Sequence, residues 1–380
     1  MTNSLLLRGM KVACLCLLSS LGFWGAERAL AHEVTPAIGD FTIEDNTLHL
    51  SLRLNAEAFV AGIDLDTHQD TETADQAGDY DLLRAMPPGE LGPMLRLFAE
   101  DWLKTLEVEA GRPVPLLVDE VRVAPAGDVE LPRESVLSLS GELPPLASAL
   151  TIRWPEGAGA VVLRQNGVEE PFTGYIQGGE STGPIAISGG SALSPAEAFT
   201  SYIPVGFDHI LPKGLDHILF VLGLFFLSTR LKPLLWQVSA FTVAHTITLA
   251  CGALGLVTVN PAVVEPLIAA SIVFVAVENI FARRLHSWRT VVIFGFGLLH
   301  GLGFASVLGE FGLPQAQFIP ALIGFNVGVE LGQLTVIALA YLLVGYWFGG
   351  HPKYRGRVAI PASVTIALIG SYWFVERVWL

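Results

Sequence analysis

The stretch GFDHILPKGLDHILFVLGLFFL, residues 206–227, places ionisable side chains inside an apolar segment that is long enough to cross a membrane. The tetrapeptide Asp-His-Ile-Leu occurs in it twice, beginning at Asp208 and at Asp216. Pro212 removes a backbone hydrogen-bond donor and Gly214 loosens the backbone, so the helix is expected to break between the two copies. A charged or imidazole group in hydrocarbon costs at least ~2.5 kcal/mol, so such groups usually face a partner, a cavity or a bound ion.

Hydropathy predicts a polytopic all-α membrane bundle of six transmembrane helices in the C-terminal half of the chain. Each predicted span is long enough to cross a hydrocarbon core of about 30 Å. The spans are residues 206–227, 234–257, 262–282, 290–309, 319–348 and 358–378.

Charge separates the chain into two regions. Residues 32–200 contain 28 Asp and Glu against 9 Lys and Arg, whereas from Ser201 onward 10 basic residues meet 7 acidic ones. With 52% hydrophobic and 15% charged residues, the whole chain is too apolar for one soluble domain and too charged to lie in a membrane throughout. We predict a soluble domain at residues 32–192, a linker at 193–204 and the membrane domain at 205–380.

The N-terminus is typical of an export signal. Arg8 and Lys11 supply the positive region, VACLCLLSSLGFWG supplies the apolar region, and residues 29–31 (Ala-Leu-Ala) offer a cleavage site. We predict a signal peptide at residues 1–31 and a mature chain that begins at His32.

Residues 32–192 read as a β-rich domain of the sandwich type, because short runs alternate apolar and polar side chains between Pro, Gly and Asp. One helix is expected in residues 92–110, where Leu95, Phe98, Trp102 and Leu106 recur at helical spacing. The predicted strands lie in FTIEDNTLHLSLRL (41–54), VDEVRVAP (118–125), SVLSLSGEL (135–143), ALTIRWP (149–155) and GAVVLRQ (159–165).

An acidic run, DLDTHQDTETADQAGDYD (residues 64–81), offers carboxylates and His68 as ligands for a divalent cation. It lacks the Gly and the Glu at the spacing of a calcium-binding loop. We therefore interpret it as a solvated, flexible loop.

The loops between the predicted spans indicate the orientation of the membrane domain. The first, third and fifth loops are basic, whereas TVNPA and GEFGLPQAQ, the second and fourth, have no basic residue. The positive-inside rule then makes the basic loops cytoplasmic and leaves the N-terminal domain and the C-terminus periplasmic, as the signal peptide also requires. The expected location is the bacterial inner membrane, crossed several times.

Polar side chains in different spans share one depth. Asp216 and His217, His245 and His300 fall at the midpoints of their spans, and Glu330 lies just outside the middle of span five. Imidazoles and carboxylates suit Ni²⁺, Co²⁺, Zn²⁺ or Cu²⁺, and transporters place their sites near the bilayer midplane. Each His alone is better explained by a hydrogen bond to a carbonyl or Thr, but three His and two carboxylates at one depth favour a metal site.

Further polar residues are expected along the path of an ion. Asp208 and His209 are predicted to form an outer site above the midplane; alternatively, Asp208 caps a helix and His209 lies in interfacial water. Glu278, nearer the cytoplasmic end, is either an exit ligand or a partner for Arg283 or Arg284.

Predicted span five has two contrasting faces. Glycines recur every fourth residue over 324–332, a pattern typical of close helix packing. Asn326, Glu330 and Gln333 lie on nearly the opposite side at helical spacing. Asn326 and Gln333 are therefore expected to join Asp208 and Glu278 in a secondary polar pathway.

Five segments, in this order, resemble the HupE/UreJ family of membrane proteins over residues 201–380. They are GLDHILFVLGLFFLS (214–228), AFTVAHTITLA (240–250), the segment from Glu265 to Glu278, FGLLHGLGFA (296–305) and FNVGVELGQL (325–334). The resemblance implies a nickel or cobalt permease accessory to hydrogenase and urease, with a periplasmic domain ahead of the bundle. The family signature implicates His209, Asp216, His217 and His300.

The leading hypothesis is inner-membrane transport of a divalent transition metal through the midplane His, Asp and Glu side chains. Its partners would be the ion, the lipid bilayer and a periplasmic metal donor or metalloenzyme assembly proteins, with no nucleic acid. The opposing class is an intramembrane hydrolase with a catalytic Zn²⁺, and the third is a metal sensor or assembly factor. Neither a Ser nor a Cys nucleophile motif is evident, and a transporter is favoured over an enzyme.

Overall fold

The computed structural model describes residues 35–379 apart from 69–70, 128–132, 283–284, 287, 312–313 and 315–316. The side chains of Glu72 and of residues 306–311 also fall outside this description. The predicted signal peptide, His32, Arg283 and Arg284 lie outside the described residues.

The chain forms two compact units. One contains Ile203–Gly309 and the chain from Phe325 onward; the other contains the described residues from 35 to 202 together with Glu310–Gly324. The predicted linker at 193–204 is largely helical, because a helix begins at Pro195.

The first unit along the chain is β-rich, as predicted. Over the described residues its strands form a six-stranded sheet in the order β4-β5-β2-β1-β7-β8 and a three-stranded sheet in the order β3-β6-β9. All neighbours are antiparallel except β1 and β7. The strands are β1 (Ala37–Glu44), β2 (Thr47–Leu54), β3 (Glu107–Glu109), β4 (Leu117–Val123), β5 (Ser135–Glu142), β6 (Ala149–Arg153), β7 (Val161–Gln165), β8 (Thr173–Ile176) and β9 (Ile185–Ala186).

All five predicted strand segments contain strands, and the segment 41–54 takes part in a hairpin. Asp45 and Asn46 make its turn with φ of 46° and 66°, a conformation that short polar side chains tolerate. Alternate residues of β2, such as Leu48 and Leu50, are fully buried. Residues of both sheets and of the longest helix of this unit share one hydrophobic core.

The helices of the β-rich unit are α1 (Ala56–Ala61), α2 (Ala77–Arg84) and α3 (Pro88–Trp102). The predicted helix at 92–110 corresponds to α3, which begins earlier and ends before Leu106. The expectation of a single helix was wrong. The two missed helices are six and eight residues long, too short for a clear helical period.

The acidic run is partly ordered rather than a wholly flexible loop. A 3₁₀-helix covers Thr71–Thr73, and α2 begins within the run. The carboxylate of Asp64 accepts the backbone N–H groups of Asp66 and Thr67, and that of Asp66 accepts the N–H of Gly157. Where the structure describes this run, the carboxylates of Asp64 and Asp66 bind backbone, and its side chains form no cluster that could hold a metal ion.

The second half of the chain contains long apolar helices. Within the described residues, four of them are long and apolar enough to cross a membrane, and a bent helix pair brings the number to five at most. The four are Leu231–Ala253, Pro261–Phe281, Phe318–Phe348 and Arg355–Trp379. The apolar described part of the helix at predicted span four, Arg289–Ala305, is shorter. Six spans therefore remain a prediction. The helices are α4 (Pro195–Ile210), α5 (Leu215–Leu227), α6 (Leu231–Ala253), α7 (Pro261–Phe281), α8 (Arg289–Phe311), α9 (Phe318–Ala340) and α10 (Ile360–Trp379).

Glycine residues allow helices of this unit to approach one another closely. Large apolar side chains such as Trp236, Val291 and Leu368 are exposed, as expected of surfaces that face lipid. Gly328 of α9 lies directly against the backbone of α4, where an added Cβ would come 2.0 Å from the carbonyl oxygen of Ile203. The predicted close-packed glycine face of span five is therefore confirmed.

Candidate metal centre

The break predicted inside residues 206–227 is present. Helices α4 and α5 meet at an angle of 74°, on either side of Pro212 and Gly214. His209 ends the last turn of α4, and Asp216 and His217 lie in the first turn of α5. The bend brings the two copies of Asp-His-Ile-Leu together, so that the His209 and His217 rings lie 4.9 Å apart between centroids.

Three imidazoles from three helices converge. One ring nitrogen from each of His209, His217 and His245 lies within 4.8 Å of the others. His217 and His245 are 3% and 0% exposed, and their ring centroids are 5.8 Å apart. Among the described residues, the Nε2 atoms of all three are buried without a hydrogen-bond partner. Buried polar atoms are rarely left unpaired, and these nitrogens could hold a metal ion.

A second group shares His217 with the first and adds Asp216 and His300. The carboxylate of Asp216 bonds through Oδ1 to Nδ1 of His217 at 2.9 Å, and its Oδ2 lies 3.9 Å from Nδ1 of His300. Nδ1 of the buried His300 has no hydrogen-bond partner within the described part of the chain. His217 thus belongs to both groups of side chains that could hold a metal ion.

Neighbouring side chains fix which nitrogen carries the proton on His245 and on His300. Asn326 Oδ1 accepts from Nδ1 of His245 at 3.2 Å, which leaves a lone pair on Nε2. Ser271 gives its only proton to the carbonyl of Ile268, so its oxygen accepts from Nε2 of His300 at 3.1 Å. Such partners orient the histidines of metal sites and raise their basicity.

Aromatic rings enclose the histidine cluster, by which we mean His209, Asp216, His217, His245 and His300. Phe241 lies 5.1 Å from His300 and 5.8 Å from His217 between ring centroids, and Phe304 lies 4.1 Å from His209. Apolar walls exclude water and strengthen the interaction of an ion with its ligands.

The histidine cluster differs from the predicted site at His209. The sequence placed His209 with Asp208 at a separate outer site, but the bend after α4 folds it against His217. Asp208 belongs to neither ligand group among the described residues and is partly buried.

Glu330 was predicted at the midplane site, but the described side chains place it elsewhere. Its carboxylate accepts hydrogen bonds from Ser239 at 2.7 Å and Thr242 at 2.5 Å, and Gln333 lies beside the same Thr hydroxyl. Only Asn326 of the polar face of α9 reaches the cluster. The depth of Glu330 along its helix was the basis of the prediction. The rotation of α9 about its axis directs the Glu330 side chain to Ser239 and Thr242 instead.

Glu278 also lies away from the histidine cluster. It faces Arg289 at 3.2 Å; Arg289 is buried, and the Glu278 side chain is 11% exposed. Its predicted partners, Arg283 and Arg284, lie outside the described residues. Arg355 donates to the last carbonyls of α7, including those of Ile280 and Ala282, and so stabilises the same helix end.

One contributor to the site was missed in the sequence, Ser271, and so was Ser239, the partner of Glu330 outside the histidine cluster. A hydroxyl in an apolar helix gives little signal, because it can bond to its own helix backbone as well as to another residue. The sequence allowed a carbonyl or a Thr as the partner of His245, whereas the structure gives Asn326.

Comparison with known proteins assigns the helical part of the chain to a known family. The model of a family described as "HupE / UreJ protein" matches residues 188–377, which include all seven helices from α4 to α10 almost entirely. A search of curated proteins finds no match. The family is linked to nickel or cobalt transport, or to urease and hydrogenase maturation, and it implies a metal-ion role in a membrane. The chain is a membrane protein that belongs to the HupE/UreJ family.

Proposed function

We propose that this protein transports a divalent transition metal, nickel or cobalt, across the bacterial inner membrane. The observation that carries the proposal is the meeting of His209, His217 and His245, whose Nε2 atoms are buried and unpaired. Neutral imidazoles of this kind are good ligands for Ni²⁺, Co²⁺ and Zn²⁺. Asp216 supplies the negative charge that offsets part of the ion's charge.

The second group of possible metal ligands, Asp216, His217 and His300, favours transport of the ion over its permanent binding. Because His217 belongs to both groups, an ion held by three imidazoles has Asp216 and His300 beside it. Ion conduction requires sites that attract the ion and yet release it, commonly several sites in sequence. We infer that His217 remains a ligand while the other ligands exchange.

The proposal includes the topology. Six spans would place the basic loops in the cytoplasm, and the signal peptide would place the β-rich unit and the C-terminus in the periplasm. Arg230, Lys232, Arg355 and Arg357 of these loops support this orientation.

A metal-dependent hydrolase is the second candidate. Three imidazole nitrogens with one coordination position left for water are typical of catalytic zinc sites. A hydrolase needs a permanently held metal and has no use for access to both membrane faces, which distinguishes it from a permease.

Reconstituted protein tests the proposal. Proteoliposomes loaded with a metal-sensitive dye should respond to external Ni²⁺ or Co²⁺, and His217→Ala should abolish the response. His286→Ala is the matched control, because His286 is exposed and should not affect uptake. Transport would be contradicted if the dye responds to no divalent ion and the purified protein holds a stoichiometric amount of zinc that does not exchange. That result would favour the hydrolase.

A further inference from the structure

Arg377, on the last turn of α10, holds a positive charge against the first turns of α7. Its Nη1 donates to the backbone carbonyl of Glu265 at 3.1 Å, and its Nε lies 4.0 Å from the Glu265 carboxylate. The guanidinium carbon lies 5.7 Å from the ring centre of Trp373. These contacts fix the position of the charge, and they leave the Arg377 side chain only 23% exposed to solvent.

The contact with Glu265 brings this charge near the histidine cluster. Glu265 precedes Ser271 by six residues on α7, which corresponds to about 9 Å along a helix. Ser271 bonds to Nε2 of His300 at 3.1 Å. The charge of Arg377 accordingly acts on both His300 and Asp216, although Arg377 forms no hydrogen bond with either in the described part of the chain.

Asp216 is the most accessible member of its group of possible ligands. Its side chain is 25% exposed, whereas the side chains of His217 and His300 are 3% and 0% exposed. An ion that enters this group from solvent is therefore expected to meet Asp216 first. The charge of Arg377 acts at this same point of entry.

A fixed positive charge acts oppositely on the empty and on the loaded site. In the empty site, Arg377 attracts the Asp216 carboxylate and so offsets part of the cost of a negative charge in an apolar bundle. In the loaded site, Arg377 repels a divalent cation bound to Asp216, and such a repulsion is stronger in an apolar bundle than in water. Both effects lower the affinity of the site for the ion.

We propose that Arg377 weakens the binding of the metal ion at Asp216 and thereby allows the histidine cluster to release it. Arg377 acts through its charge and is not itself a ligand. A transporter needs sites that attract the ion without retaining it, and a nearby fixed cation provides this balance. The inference rests on the proposed function, because it concerns how tightly the same site holds its ion.

Titration of the purified full-length protein with Ni²⁺ tests the role of the charge. Arg377→Gln removes the charge and should bind Ni²⁺ about tenfold more tightly than the wild type. Arg377→Lys keeps the charge and should bind Ni²⁺ like the wild type. Lys353→Gln is the matched control, because it removes one positive charge at an exposed position and should leave the affinity unchanged.

Glu265→Gln should have the opposite effect on the affinity for Ni²⁺. It removes the ion-pair partner of Arg377, so the ion should bind more weakly than in the wild type. Loss of the contact between Glu265 and Arg377 is common to both variants, so effects of opposite sign must come from the charges. Glu265→Gln also tests the proposal if Arg377→Gln fails to fold. The proposal would be overturned if Arg377→Gln or Glu265→Gln changes the affinity in the other direction, or if Arg377→Lys also binds Ni²⁺ more tightly.

Uptake into proteoliposomes separates tighter binding from damage to the site. In Arg377→Gln the half-saturating concentration of Ni²⁺ and the maximal rate of uptake should both fall, because the ion binds more tightly and leaves more slowly. A lower rate at an unchanged half-saturating concentration would overturn the proposal. If the wild type binds no Ni²⁺, the proposed function and this inference both fail. If the wild type binds Ni²⁺ and Arg377→Gln has the same affinity, only this inference fails.

Discussion

At the residue scale, the protonation of three imidazoles of the histidine cluster is set by one neighbour each. Asp216, Asn326 and Ser271 bond to one nitrogen of His217, His245 and His300 and leave the other nitrogen with a lone pair. The chemistry of the site therefore depends on side chains that themselves need not touch an ion.

Asn326→Ala should weaken metal binding without abolishing it. The change frees Nδ1 of His245 and lets the ring adopt other tautomers and orientations, and the loss of such supporting bonds costs about 10–100-fold in affinity. Calorimetric titration with Ni²⁺ measures the effect. Ser363→Ala is the control, because Ser363 is fully buried but bonds to Asn279. Equal affinity in Asn326→Ala and the wild type would show that His245 is not a ligand.

The contact between Asp40 and Arg164 in the β-rich unit should be sensitive to acid. Burial raises the pKa of Asp40, but hydrogen bonds and the charge of Arg164, with help from Asn166 and Arg53, outweigh burial and hold the pKa below 3.8. The ionised form therefore stabilises the fold above about pH 4, and this contribution disappears as the pH falls through the lowered pKa.

Hydrogen exchange of β1 and β7, corrected for intrinsic rates, should show loss of protection below about pH 4. In the Asp40→Asn variant, the amides of β1 and β7 should be less protected at neutral pH than in the wild type. Their protection should also fall less when the pH is lowered. The same acid effect in the variant and the wild type would mean that other groups cause it.

At the scale of elements, glycine controls how closely α9 approaches α4. In Gly328→Ala the new Cβ would meet the backbone of Ile203 and Phe207, so the helices must separate at a cost of about 1–3 kcal/mol. Gly295→Ala is the matched control, since nothing lies within 4 Å of an added Cβ there. Thermal unfolding in detergent should show a lower midpoint for Gly328→Ala only. Equal midpoints would contradict the packing described for α9.

Patterns among neighbouring residues predicted the helices and strands well, but they predicted the contacts between helices less well. Pro212 and Gly214 indicated the helix break, and alternation indicated the strands, because both depend on neighbouring residues. Depth along the predicted spans indicated that His217, His245 and His300 meet. It could not show that α9 directs Asn326 to the cluster and Glu330 to Ser239, because the rotation of a helix is set by its packing.

At the scale of the whole molecule, the proposed topology predicts the location of each loop. Reporter fusions after Arg230 and Arg355 should behave as cytoplasmic, and a fusion after Asn260 should behave as periplasmic. Alkaline phosphatase and fluorescent-protein reporters, active on opposite sides of the membrane, provide the measurement. A periplasmic signal after Arg230 would contradict the orientation and the six-span arrangement.

X-ray absorption spectroscopy of the purified, Ni²⁺-loaded protein tests the central claim most directly, that the histidine cluster holds a transition metal. Several imidazole ligands produce characteristic multiple scattering, and the geometry predicts such a signal from His209, His217 and His245. In His217→Ala the bound nickel and the imidazole signal should both fall, whereas His286→Ala should match the wild type. A wild-type spectrum with oxygen ligands alone, or one that His217→Ala leaves unchanged, would contradict the account.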